Sequence, residues 1–304
     1  MLCQTANANL QCILIMIEGK IKILKDYWST INDIDDLPTD LKEEITLFIN
    51  EKLELPDIAF ERNTPSFERI TVNNRIPEIG DSRIREVRYL KNPPKDCVED
   101  YGRANLIGQS VFYATFMRPI SIKEMRPNKG ERYTVSKWQA SGDNNRIIVF
   151  PIFKPKNDTK LYRDMDFFEE TREDELTVQL EDMLNDLEEE QLNKIKQLLT
   201  FIAECFAQEV SADNKSTYFF TASLANKIFT SVHSGNVEAI TYPSVQNDSK
   251  IENIALKPET IEERYEAVEV GEYLVRNANH DANQYLSNCI GRTDEICDGE
   301  ITWA

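Results

Sequence analysis

The sequence predicts an α+β protein. Two stretches with apolar residues at helical spacing bracket a series of short β-favouring runs, and polar, Gly- and Pro-containing joints separate those runs. At 304 residues the chain is long enough to bury a substantial core around both kinds of element.

The elements follow in order along the chain. From about residue 20 to 53 the spacing predicts helices: Ile21, Leu24, Trp28 and Ile31 share one face, and Leu41, Ile45, Phe48, Ile49 and Leu53 share another. Asp40 with Glu43 three residues later marks a helix start, and Pro56 follows the end. Residues 1–60 therefore read as a small helical N-terminal unit and residues 61–304 as the main domain. Within that domain β-favouring runs are expected at 69–72, 85–90, 111–116, 132–137 and 146–153. A second helical block is expected from about 175 to 208, where Leu180, Met183, Leu184, Leu187, Ile195, Leu198, Leu199, Ile202 and Phe206 form an apolar stripe. It lies in an acidic helical insertion of about 158–210. Strands at 239–242 and 265–275 complete a mixed β core with flanking helices.

Charge narrows the function. The chain carries 35 Lys and Arg against 53 Asp and Glu, a net charge of −18, so its long-range field repels nucleic acid and anionic membranes. The excess is concentrated: 13 acidic residues and a single basic one, Arg172, lie between Asp164 and Glu190. A solvated surface is the simplest account of that run. From Asp81 to Arg132 the balance reverses, with 11 basic and 7 acidic residues. Any phosphate-binding site belongs in that positive island.

The apolar run Ile13 to Ile17 is far shorter than the ~20 residues of a spanning helix, and no basic segment precedes it. Neither export nor membrane anchoring is expected. Cys3, Cys12, Cys97, Cys205, Cys289 and Cys297 are scattered and form no pair of pairs for zinc, which fits free thiols in a reducing cytoplasm. His233 and His280 are the only histidines, which disfavours a histidine-rich metal centre or a serine-histidine hydrolase. No metal is expected, and chemistry falls to carboxylate, arginine and hydroxyl groups.

The residues that could carry it are Arg88-Tyr89, the turn Gly102-Arg103-Ala104-Asn105 with Gly108, the run Val111-Phe112-Tyr113-Ala114, Glu124, the segment Tyr242-Pro243-Ser244-Val245 and Asn253-Ile254-Ala255-Leu256. Two arginines in a positive island can hold a diphosphate through bidentate, charge-assisted bonds. Tyr113 can offer a ring face to a flat heteroaromatic group. A carboxylate at Glu124 can stabilise positive charge developing on a ribose C1′ as a nitrogen leaving group departs. Ser244, after Pro243 at a strand end, can position a ribose hydroxyl or a carboxamide. Taken singly each residue reads more simply as structural; their joint order and spacing argue otherwise.

That joint pattern resembles the RES-domain family, named for its Arg, Glu and Ser residues, over roughly residues 66–275. The resemblance is carried by Arg88-Tyr89, Asn92-Pro93-Pro94, Gly102 to Asn105, Phe112-Tyr113-Ala114, Glu124 eleven residues after Tyr113, Tyr242 to Ser244, and Asn253 to Leu256. It implies an ADP-ribosyltransferase-like fold and NAD as substrate, with no resident cofactor and with phosphate as an optional co-substrate. It also implies a toxin-type effector of a toxin-antitoxin or defence system, checked by an antitoxin protein, cytoplasmic and homodimeric. Residue by residue, it implies catalytic roles for Arg88, Glu124 and Ser244, and substrate contacts from Tyr89, Arg103, Asn105, Tyr113 and Asn253. Water, phosphate or a protein remains open as the acceptor of ADP-ribose. A catalytically inert NAD-binding module is the alternative from another class; retention of the whole residue set argues against it.

Overall fold

The structure, a computed structural model, describes residues 18–34, 36–116, 118–142, 145–153, 188–210, 217–244, 252–280, 282 and 284–303. The fold is α+β, and the chain divides into two compact units. One comprises residues 1–60, 100–107 and 150–237; the other comprises 61–99, 108–149 and 238–304. One division between the units falls after residue 60. The second helical block, however, groups with residues 1–60 rather than with the sheet that precedes it in sequence.

The first unit is helical. Residues 18–32 form a helix that buries Ile21, Leu24 and Ile31. The helix Thr39–Leu47 begins after Pro38 with no side-chain cap, so Asp40 lies in its first turn instead of capping it. Its apolar face continues through a π-helical turn, Phe48–Lys52, which buries Ile49. The widened turn keeps Ile45, Ile49 and Leu53 on the buried side. A longer helix, Glu189–Ala207, opens with a reciprocal capping box between Glu188 and Gln191 and buries Leu198, Leu199, Ile202 and Phe206. The upstream part of the predicted stripe, Leu180 to Leu187, lies outside the described residues.

The helix Tyr218–Ser231 was not foreseen by apolar periodicity. It buries Phe219, Phe220, Ala222, Leu224, Ala225, Ile228 and Phe229, together with Thr221 and Ser223. A helix enclosed on most sides shows no single stripe. Ser223 returns its hydroxyl to the Phe219 carbonyl at 2.7 Å, so its burial leaves no unmet donor. Phe220 packs against Trp28 at 5.3 Å between ring centroids.

The second unit is built on a nine-stranded sheet. Its strands are β1 (Phe60–Asn63), β2 (Ser66–Val72), β3 (Phe112–Thr115), β4 (Arg132–Ala140), β5 (Arg146–Pro151), β6 (Ala239–Pro243), β7 (Glu252–Leu256), β8 (Tyr265–Asn279) and β9 (Gln284–Thr293). Their order is β1-β5-β6-β7-β3-β2-β4-β8-β9. Alternation along the strands separates two cores. Phe67, Phe112, Trp138, Ile254, Leu256 and Val270 pack on one side. Ile70, Val72, Tyr133, Val135 and Val275 pack on the other, where Ile122 and Met125 cover them.

Two strand expectations change. Residues 85–90 do not form a strand of the sheet: Glu86 makes an isolated bridge to Glu300, and Val87–Leu90 is a 3-10 turn. The backbone is held from the C-terminal side, by Val87 N–H to the Gly299 carbonyl and Ile301 N–H to the Arg85 carbonyl, both 2.8 Å. The final strand also exceeds its expected end at residue 275 and turns back as β9, in which a single residue, Thr293, is buried, so that no apolar face marks it in sequence.

Candidate functional site

Glu124 lies in the last turn of the helix Arg118–Met125, which directly follows β3. Ile122 and Met125, three residues apart, fasten this helix to the sheet. Arg126 adopts a left-handed conformation with φ 46°, and Pro127 follows, which ends the helix immediately beyond the glutamate. Glu124 is thereby set at a fixed height above the sheet.

Register explains what it meets there. In the antiparallel ladders Thr115 stands opposite Asn253, and Asn253 stands opposite Tyr242. Tyr113 stands opposite Ala255. Directly paired residues share a face, so Tyr113, Thr115, Asn253 and Tyr242 project away from the Phe112 and Ile254 core. Glu124 comes down on that face. Ser244 Oγ donates to Glu124 Oε1 at 2.6 Å, and Asn253 Nδ2 donates to the same oxygen at 3.0 Å. Ser244 and Asn253 are buried and Glu124 is half-buried. The shorter distance is in the range for a hydroxyl bonded to a carboxylate. Both bonds fall on Oε1, while Oε2 accepts none among the described residues.

The sheet opens beside this cluster. β2 and β4 pair along seven positions, whereas β2 and β3 pair only at Glu68 and Thr115. Continuing that ladder would set Ile70 opposite Tyr113, but the strands have already separated. Arg69 fills the breach: its Nη1 donates to the Tyr113 carbonyl at 2.8 Å and its guanidinium lies 5.0 Å from the Phe112 ring centroid. Arg69 Nε is enclosed with no hydrogen-bond partner among the described residues. Burial pushes the guanidinium down to about 10, partly offset by its contact at Tyr113, so it stays charged at neutral pH. Sequence reasoning missed Arg69, because an arginine in a strand carries no local signature.

The other expected residues are placed differently. Arg88 is exposed on the 3-10 turn, where its ion pair to Glu86 is 2.9 Å and its guanidinium stacks 4.8 Å from the Tyr89 ring centroid. It also donates to Tyr89 Oη at 3.1 Å. The Glu86 carboxylate and then Tyr89 push the Arg88 guanidinium further toward the charged form. Arg88 and Tyr89 thus satisfy one another locally and do not contact Glu124, Ser244 or Asn253.

Arg103 and Asn105 belong to the helical unit. Arg103 Nη1 donates to the Phe206 carbonyl and, at 3.2 Å, to the Gln208 carbonyl, while Nη2 reaches Tyr218 Oη at 3.4 Å. It therefore caps the end of the helix Glu189–Ala207, where carbonyls lack helical partners. Asn105 closes its own turn through Nδ2 bonds to the Asp100 and Leu106 carbonyls. Gly108, φ 73°, completes the reversal in a conformation that suits glycine, and its N–H donates to the Val98 carbonyl. Asn92 Nδ2 meets Ser110 Oγ at 2.7 Å, which ties Asn92-Pro93 to the start of β3.

No helix among the described residues is long and apolar enough to cross a membrane. A scan against protein-family models and a search of curated proteins find no match to this chain.

Proposed function

We propose that this chain binds NAD and cleaves the bond between nicotinamide and ribose, passing ADP-ribose to water or phosphate. The observation that carries the reading is Glu124, fastened through Oε1 by Ser244 and Asn253 with Oε2 left to act. A carboxylate held in this way needs no reorganisation to stabilise an incipient cation.

In the reaction the C1′–N bond breaks and its electron pair leaves with neutral nicotinamide. Positive charge then develops on the ribose, and Glu124 Oε2 offsets it. The acceptor oxygen adds to C1′ and releases its proton to the carboxylate or to solvent. Tyr113, half-buried on the same face, flanks the nicotinamide ring. Arg69 alternates with Ile70 along β2 and stacks on Phe112, on the face away from Glu124, so it closes the sheet at the Tyr113 carbonyl and is assigned no substrate contact. Arg88, paired with Glu86, and Arg103, capping a helix, are already engaged elsewhere. The motif resemblance to RES domains supports the same chemistry on an ADP-ribosyltransferase-like fold. It also supports a cytoplasmic, homodimeric, toxin-type effector restrained by an antitoxin.

The test is nicotinamide release from NAD by purified protein, with and without phosphate, beside Glu124→Ala. Release by the wild type alone supports the reading, and a phosphate requirement names the acceptor. No release by folded wild-type protein in either buffer overturns it.

A further inference from the structure

The donors that hold Glu124 both depend on the last rung of the β6–β7 ladder. That rung is Pro243 opposite Glu252. Ser244 follows Pro243 in the chain, and Asn253 follows Glu252. Pro243 has no N–H with which to close the rung. Something else must hold Glu252 if Ser244 and Asn253 are to converge on one carboxylate oxygen.

The structure supplies a buried ion pair at that position. Arg62 Nη1 meets Glu252 Oε2 at 2.8 Å, and each side chain is 6% exposed. The guanidinium lies 4.9 Å from the Phe116 ring centroid, just beyond the end of β3. Thr115 Oγ1 donates to the Glu252 carbonyl at 3.4 Å, a second tie to the same residue. Glu252 alternates with Asn253 along β7, so the pair sits on the opposite sheet face from Glu124. A buried ion pair is poor value as a source of stability, because desolvation consumes most of its attraction. What it provides is direction: a fixed fork geometry that apolar side chains lack.

We propose that Arg62 and Glu252 are positioning residues that set the rung carrying Ser244 and Asn253, and so aim Glu124. The catalytic part rests on the NAD-cleaving reading; the positioning part does not. The experiment compares wild type with the double variant Arg62→Met/Glu252→Leu, which keeps bulk and removes both charges, and with Arg62→Lys, which keeps the charge without the fork. Each is followed by thermal unfolding, by the NMR resonance of the Asn253 side-chain amide, and by kcat and KM for NAD.

The expected result is a double variant that melts near the wild type, with an Asn253 resonance displaced toward that of a solvated amide. Its kcat should fall about 10-fold while KM stays within about twofold, the pattern of lost transition-state alignment. Arg62→Lys should fall between the two, and it alone decides the question if the double variant does not fold. A wild-type Asn253 resonance in a folded variant overturns the proposal. If wild-type protein releases no nicotinamide, the functional reading fails while the Asn253 resonance still decides the positioning.

Discussion

The Glu124 cluster and the Arg88 turn each hold a carboxylate by hydrogen bonds, and they hold it in opposite ways. Glu124 takes its bonds from residues 120 and 129 positions away in sequence, one just past the end of β6 and one on β7. Arg88 takes its partners from Glu86 and Tyr89, two and one positions away, on one exposed turn. The first arrangement exists only when the sheet is assembled. The second forms wherever the turn forms, and an exposed pair of this kind contributes little to stability. Convergence from distant elements, rather than the presence of charge, is what marks a preorganised site.

The sharpest way to break that contrast is at Glu124 itself. Glu124→Ala should lower nicotinamide release by roughly 10²-fold or more, the scale for one preorganised electrostatic group. The variant should still fold cooperatively with a modestly lower melting temperature, because the buried Ser244 and Asn253 lose their shared acceptor while Glu124 itself is only half-buried. Loss of activity accompanied by unfolding would make Glu124 a structural residue.

Ser244→Ala and Asn253→Ala should each cost about 10-fold in kcat, and together less than the product of the two. They donate to one oxygen, and neighbours in one network are not additive. Independent, multiplying effects measured in a double-mutant cycle would mean that the two side chains act on substrate separately rather than through Glu124.

This cluster was legible in sequence because its three members fall in short runs with a recognisable order: Glu124 after the β3 tyrosine, Ser244 after a proline, and Asn253 before an apolar triplet. Arg69 was not legible. Its meaning comes from the failure of β2 and β3 to pair beyond Glu68 and Thr115, and strand separation leaves no trace in composition. The capping role of Arg103 was illegible for a similar reason, since the carbonyls that it caps lie more than a hundred residues downstream. Residues 85–90 have strand-like composition, but pairing to Gly299 and Ile301 bends them into a turn. Among helices, the amphipathic stripe of Glu189–Ala207 could be read, whereas the enclosed Tyr218–Ser231 could not, because burial on most sides erases the period.

Arg69 tests whether the breach in the sheet belongs to the site. Arg69→Ala should destabilise the fold by about 1–3 kcal/mol, the cost of removing an enclosed hydrogen-bond donor, and leave KM for NAD within about twofold. Arg69→Lys should restore much of the stability, since an ammonium can meet one carbonyl. Unfolding is followed in denaturant and NAD binding by calorimetry. A 10-fold loss of affinity in a folded variant would bring the breach into the site.

The smallest effect is expected at the other pole of the comparison. Arg88→Ala removes an exposed ion pair that is screened by water and salt, so the melting temperature should stay at the wild-type value. Nicotinamide release should remain within about twofold of the wild type at every NAD concentration, and raising ionic strength should narrow the difference further. The motif resemblance points the other way, because there Arg88 is the arginine expected to grip NAD. A 10-fold rise in KM for Arg88→Ala would therefore favour the motif over the geometry: it would require the turn to release Glu86 and swing Arg88 onto substrate when NAD binds. In that event Glu86→Gln, which frees the guanidinium beforehand, should lower KM, whereas a locally satisfied Arg88 leaves it unchanged.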